Sequence, residues 1–198
     1  MNERCVSARK VACQAAFALG CFVFVQLLGA RGARAEGPRK VEGFEAVGTL
    51  GYGVAVGDDL VDPFGVMVGL DLGYTFRFGL RIGADASHGF GRRIEGTLST
   101  GEAVVTDAAS NTLGVSVGYD LMLSSSFRLR GAADTGFVFF YGEGALPGGP
   151  PGATWYIGPR VALIWQYRAF ELGLQGKYWV MADGLGAVQV GLMSGARF

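Results

Sequence analysis

The sequence predicts an all-β chain, an eight-stranded antiparallel up-and-down transmembrane β-barrel, and three observations carry that expectation. Apolar residues alternate with small or polar ones through eight segments, without the 3.6-residue periodicity of a helix. Every charged residue inside those segments falls on the non-apolar parity. Aromatic residues on the apolar parity gather at the segment ends, with Val, Leu, Ile, Ala and Gly between them.

Residues 1–35 are set apart as a cleaved signal peptide, and 36–198 as the barrel domain. Arg4, Arg9 and Lys10 precede an apolar run from Val11 to Leu28, and Ala33 and Ala35 are the small residues a signal peptidase reads, which places the cut between Ala35 and Glu36. Gln14 and Gln26 weigh against a retained spanning helix. Ala18-Leu19-Gly20 before Cys21 weighs against a lipoprotein signal. The leader holds five of the 17 basic and one of the 17 acidic residues, so the remainder carries a net charge of about −4 by formal count. That balance offers no basic surface for nucleic acid. Cys5, Cys13 and Cys21 all lie in the leader, so the barrel domain has no disulfide, thiol nucleophile or thiolate metal site. His88 is its single histidine, and neither metal nor cofactor is expected.

After a polar lead-in at 36–42, the first strand is expected at 43–57, with Phe44 and Glu45 on opposite faces, followed by a link that carries Asp58, Asp59, Asp62 and Pro63. Strands two and three, 64–74 and 78–91, share "FGVMVGLDLGYTFRFGLRIGADAS" and a tight turn at 75–77. The long link 92–108 continues its strands as a hairpin around Ser99 to Glu102. Strands four and five, 109–122 and 127–141, flank Leu-Ser-Ser-Ser at 123–126. Past the Gly/Pro-rich "GEGALPGGPPG" comes strand six, 153–166, in which Pro159 removes a ladder donor and predicts a bulge. Strands seven and eight, 169–181 and 186–198, complete the set. Longer and shorter links alternate through most of the chain, as antiparallel neighbours require, so both chain ends fall beside the tight turns.

The direction of the oily face follows from the charges. Glu45, Asp71, Arg81, Asp85, Asp120, Arg128, Arg130, Asp134, Arg160, Glu171, Lys177 and Arg197 are six acids and six bases on one parity, among mostly Gly, Ala, Ser, Thr and Gln. A solvated exterior would carry a denser crop of Lys and Glu, so this face is expected to be a narrow interior of paired ions. One aromatic belt, beside the tight turns, comprises Phe44, Tyr74, Phe76, Phe78, Phe127, Trp165, Tyr167, Phe170 and Phe198. The other comprises Phe64, Phe90, Phe139, Tyr141, Trp155 and Tyr178. A soluble, lipocalin-like barrel has no reason to sort aromatics into bands, and segments of at least ~9–11 residues suffice to cross a bilayer.

The chain resembles the small outer-membrane barrels of Gram-negative bacteria, the OmpA transmembrane-domain and OmpX type, over residues 43–198. In that family the last strand ends in an aromatic residue and is read by the barrel-assembly machinery. Here "GAVQVGLMSGARF" places Phe198, Ala196, Ser194, Leu192, Val190 and Val188 on one face. The resemblance implies an outer-membrane location with lipid and lipopolysaccharide as surroundings; since no residue follows Phe198, a peptidoglycan-binding domain of the full-length OmpA kind is not expected.

The leading functional expectation is a non-enzymatic surface barrel whose loops meet an unknown ligand. Arg128, Arg130, Glu45, Asp120, Glu171 and Arg197 should lie near the tight turns, with Arg81, Asp85, Asp134, Arg160 and Lys177 forming an ion-pair plug at or above the middle. The alternative is a narrow porin-like channel, because inward Gly51, Gly53, Gly65, Gly69, Gly73, Gly79 and Gly83 leave little side-chain volume on one side. A third reading, a lipid A-modifying enzyme, rests on His88 beside Ser87, but adjacent strand residues face opposite ways and cannot form a nucleophile–base pair. Arg92 and Arg93 stand just above the upper belt, where lipopolysaccharide phosphates would lie, or are ordinary solvated charges. "GYGVAVG" at 51–57 lacks the glycine spacing of a dinucleotide site, and Asp58, Asp59 and Asp62 form a solvated turn more readily than a calcium site.

Overall fold

The computed structural model describes residues 42–56, 63–91, 93–97, 103–143, 152–182 and 184–198. Residues 1–41, with the expected cleavage residues Ala33, Ala35 and Glu36, the acidic link, Arg92 and the tip around Ser99 to Glu102 lie outside the described residues. The strands are β1 (Gly43–Val56), β2 (Gly65–Thr75), β3 (Leu80–Gly89), β4 (Arg93–Thr97), β5 (Ala103–Met122), β6 (Phe127–Glu143), β7 (Ala153–Tyr167), β8 (Phe170–Met181) and β9 (Gly186–Arg197).

Each strand pairs antiparallel with its neighbours, and β1–β9 pairing closes the wall. The wall is eight strands thick in circumference, because β3 and β4 are successive parts of one strand: both pair with β5, on either side of an interruption at Phe90–Gly91. Gly91 stands there at φ 45°, a conformation that glycine adopts without a steric penalty. β4 and the upper part of β5, from Arg93↔Asp107 to Thr97↔Ala103, form a hairpin beyond the rim.

Following paired residues once around fixes the slant of the barrel. Ala46 leads through Leu72, Ala84, Val115, Thr135, Ile157, Val180 and Gly186 to Val56, ten residues further along β1. A stagger of this size over eight strands belongs to a tilted, narrow barrel with room for side chains inside. The period-two pattern is plainest on β7, where exposed and buried residues alternate from Ala153 to Tyr167 with Gly158 half-buried. Leu113, Val115, Val117, Leu163, Leu174, Val190 and Leu192 are among the large apolar residues on the outer face.

Two local expectations are corrected. Pro159 produces no bulge: Tyr156↔Met181 and Ile157↔Val180 above it and Arg160↔Lys177 below it keep one register, so no residue is inserted and the ladder merely opens at Gly158 and Pro159. The Tyr178 carbonyl packs against Gly158, where a Cβ would overlap it. Gly158→Ala is therefore expected to force β7 from β8 and cost about 1–3 kcal/mol, as overpacking does. Urea unfolding followed on gels would show a lowered midpoint, with Gly131→Ala, whose Cβ meets nothing within 4 Å, left unchanged.

Phe64 is the second correction. It is 0% exposed and lies inside the barrel, not in the outer aromatic belt. Gly65 holds φ 53°, which turns the chain between Phe64 and β2 and breaks the alternation that would have pointed the ring outward.

Candidate functional site

The lumen is the candidate site, because the chain's charged residues meet there. All twelve of the charged residues named for the interior are buried, none more than 7% exposed. Strand alternation places them inside, and the stagger decides which of them meet.

Toward the short-turn end, Glu45, Asp120 and Glu171 alternate with Arg128, Arg130 and Arg197. Arg130 is a cross-strand partner of Asp120 and donates to both carboxylate oxygens, Nε–Oδ1 at 2.7 Å and Nη2–Oδ2 at 2.9 Å. It also donates to both oxygens of Glu45, at 2.6 and 2.8 Å. Arg128 reaches Glu171 at 2.6 Å and Glu45 at 3.1 Å. Arg197, opposite Glu45 across the β1–β9 seam, contacts Glu45 at 2.8 Å, Glu171 at 2.9 Å and Asp120 at 3.2 Å. Such bidentate, charge-assisted bonds suit the planar guanidinium, which explains arginine at nearly every basic position.

Nearer the middle, Asp71 and Asp85 are direct cross-strand partners, as are Arg160 and Lys177. Like charges placed opposite one another are destabilising, so each pair requires the other. Arg160 supplies the connection, bonding Asp85 at 2.7 Å, Asp134 at 2.8 Å and Asp71. Lys177 adds Asp85 at 3.1 Å.

Arg81 joins the two tiers. Its Nε donates to Glu45 at 2.5 Å, one Nη to Asp71 and the other to Ser116 at 3.0 Å. The expected division is thus revised: Arg81 belongs to both tiers, and the plug is one continuous lattice from Arg197 to Lys177. The lower tier holds three acids and three bases and the upper three acids and two bases, so Arg81 completes the balance of the whole.

Arg81 also fills the glycine-lined side. A Cβ on Gly73 or Gly83 would overlap its guanidinium. Thr49 and Ser87 close on Gly69, and Phe64 and Met67 on Gly53. At these four positions the small inward residue accommodates a larger neighbour.

Above the lattice the lumen turns apolar, which the sequence reasoning missed. Phe64, Met67, Val138, Tyr156, Trp179, Met181, Leu185 and Ala187 form one buried cluster. Its strand residues share the parity of the charges, at the ends of strands away from the short turns, so the same alternation marks them as inward. Tyr156 and Trp179 rings lie 4.9 Å apart, and Phe64 packs on Trp179 at 5.9 Å and on Phe140 at 6.1 Å.

On the outside, Phe44, Tyr74, Phe78, Phe127, Trp165, Tyr167 and Phe198 are exposed at the short-turn end, with Phe76 and Phe170 half-buried. Tyr141, Trp155 and Tyr178 are exposed toward the other end, with Phe90 and Phe139 half-buried. Leu192, Val190 and Val188 on β9 and Phe198 just beyond it are exposed, while Ser194 and Ala196 are buried. His88 shares an outer polar pair with Asn111, Nδ1 to Oδ1 at 2.7 Å, and its ring meets Phe90 edge-on at 4.6 Å. Ser87 faces the other way and bonds Thr112 at 2.5 Å, so the two form no catalytic pair. Arg93 begins β4 beyond the rim.

No family model matches the chain, and no curated protein matches it significantly. Solved structures share its architecture. Neisserial surface protein A (NspA) superposes with a TM-score of 0.61 at 15% identity, covering 78% of this chain and 97% of its own. Ail, the attachment invasion locus protein of Yersinia pestis, in complex with the heparin analogue sucrose octasulfate, gives 0.52 at 14% identity, covering 79% and 99%. The outer membrane protein OprG from Pseudomonas aeruginosa gives 0.50 at 11% identity, covering 81% and 95%. These likenesses establish the fold, the eight-stranded closed barrel of Gram-negative outer-membrane proteins.

Proposed function

We propose, from a wall built like those of NspA, Ail and OprG, that the chain is a non-enzymatic integral outer-membrane barrel that presents surface loops and does not conduct. The observation that carries the reading is the lattice: charges of both signs, in equal number, bond to one another across a lumen that an apolar cluster then covers. An unpaired ion in such a place costs several kcal/mol, so the lattice resists any arrangement that would open a water file through it.

Lipid and lipopolysaccharide are the surroundings we assign to the outer wall, with Arg92 and Arg93 meeting lipopolysaccharide phosphates. Residues 1–35 direct export as a signal peptide that is cleaved between Ala35 and Glu36, where Ala33 and Ala35 are the small residues read by the peptidase. The assembly machinery reads the strand that ends in Phe198. The ligand of the loops stays unassigned.

Two measurements test this reading. Unboiled protein should migrate faster on gels than boiled protein, as a folded barrel does. In planar bilayers it should stay at the membrane baseline. Steady ion current through the wild-type protein would refute the closed lumen and favour the narrow channel instead.

A further inference from the structure

Among the described residues, Arg168 is the only one besides glycines to stand at positive φ, 56°. It opens the two-residue turn between β7 and β8, across which Tyr167 pairs with Phe170. Glycine, or asparagine among residues with a Cβ, ordinarily fills such a place. The turn is held firmly: Gln166 Nε2 donates to the Arg168 carbonyl at 3.2 Å, and the Arg197 N–H donates to the Ala169 carbonyl at 2.8 Å. A strained residue that its surroundings over-determine points to a use for its side chain.

That side chain is exposed and fixed against the outer face. Its guanidinium lies over the Tyr167 ring, 5.5 Å from the centroid. Tyr167 stacks in turn on Trp165, with centroids 6.1 Å apart and planes 12° from parallel. Both rings belong to the exposed parity of β7, so the stack runs along the outer wall through the aromatic belt to the turn. The cation is thereby held toward what surrounds the wall and away from the mouth of the lumen. A ring against one face of a guanidinium leaves its in-plane N–H donors for an oxyanion.

The other exposed charged side chains described at the short-turn end are Glu42, which accepts from Tyr74 at 3.0 Å, and Arg77. Arg77 lies in the β2–β3 turn on the opposite side of the barrel, with β5 and β6 intervening one way round and β9 and β1 the other. Lipid headgroups stand beside the aromatic belt of a membrane barrel, so a lipid phosphate is the anion that meets a guanidinium stacked on that belt.

We propose that Trp165, Tyr167 and Arg168 form a docking site for the phosphate of an anionic glycerophospholipid, in the leaflet opposite lipopolysaccharide. The site rests on the outer-membrane reading above and adds one particular lipid contact to it.

Quenching of tryptophan by brominated lipid tests the contact. In a Trp155→Phe protein, Trp165 faces lipid and Trp179 lies inside the barrel. Vesicles of phosphatidylcholine and phosphatidylglycerol, with the bromines on one lipid or the other, give the relative association of the two at Trp165. Phosphatidylglycerol should be favoured about fivefold, the ratio equivalent to ~1 kcal/mol for one basic residue at an anionic lipid surface. Arg168→Asn, which suits positive φ, should abolish the preference, and Arg77→Gln should leave it unchanged. Tyr167→Leu should lower it, because the charge remains without the ring that holds it. Inorganic phosphate at constant ionic strength should not displace the lipid. A preference that survives Arg168→Asn, or falls as far in Arg77→Gln, would overturn the site in favour of general surface charge. A preference unmoved in Tyr167→Leu would overturn the part played by the stack, and one removed by inorganic phosphate would overturn the lipid in favour of a free anion. Equal quenching by the two brominated lipids would overturn the docking site and leave the membrane barrel standing, whereas no quenching by either would refute both.

Discussion

Glu45→Gln is expected to cost the folded barrel about 3–5 kcal/mol, the range found when one member of a buried ion pair is removed and its partner is left behind. Glu45 accepts from Arg81, Arg128, Arg130 and Arg197, four guanidiniums carried by three strands. Glutamine is close to glutamate in size, so the loss would report charge and not packing. It would turn an amide donor toward cations that can only donate. The position also sits on the seam, where the backbones of Phe44 and Phe198 exchange hydrogen bonds at 2.8 and 3.1 Å and Arg197 meets Glu45 inside. The unfolding midpoint in urea, read from the heat-modifiable band, should fall sharply. Arg130→Met added to Glu45→Gln should recover part of the loss, because it restores the equality of positive and negative charge in the lattice while Asp120 keeps Arg128 and Arg197 at 3.2 Å each. An unmoved midpoint in Glu45→Gln would mean that water, not this carboxylate, screens the four arginines.

That Glu45 sits inside is legible from its parity alone; that it is a hub is not. A period of two separates the faces of a strand from a few residues, so the eight walls and the direction of Asp71 or Leu113 follow from local pattern. Which charges meet depends on the ten-residue stagger, a property of the closed sheet that no single strand encodes. The strand position of Arg81 points to the middle set. Its side chain reaches two tiers because Gly73 and Gly83 give it the width of the lumen. Phe64 escaped for a different reason: one glycine at positive φ reverses the face of its neighbour, and a glycine's composition does not disclose the sign of its φ. A proline within a strand predicts a bulge, yet here the strands absorb the missing donor by leaving the ladder open opposite Tyr178.

Conductance is expected only when the two seals of the lumen, the ion lattice and the apolar cluster above it, are breached together. Arg81→Ala removes the side chain that occupies the glycine-lined side between Gly73 and Gly83 and that ties Glu45 to Asp71. Alone it should leave the bilayer at baseline, because Phe64, Met67, Trp179 and their neighbours still cover the lumen and an apolar constriction excludes ions by excluding water. Phe64→Ala alone should also be silent, because the lattice remains. Arg81→Ala/Phe64→Ala should give discrete current steps. Six interior acids would then face five bases, so the reversal potential in a potassium chloride gradient should show cation preference. Arg81→Lys in place of Arg81→Ala should suppress most of that current while restoring less stability than arginine, since a compact ammonium cannot bond Glu45, Asp71 and Ser116 at once. Current in either single variant would show that the two seals depend on one another. Silence in the folded double variant would show that the remaining charges close around the gap, in which case the lattice seals by its number of ions and not by the reach of Arg81.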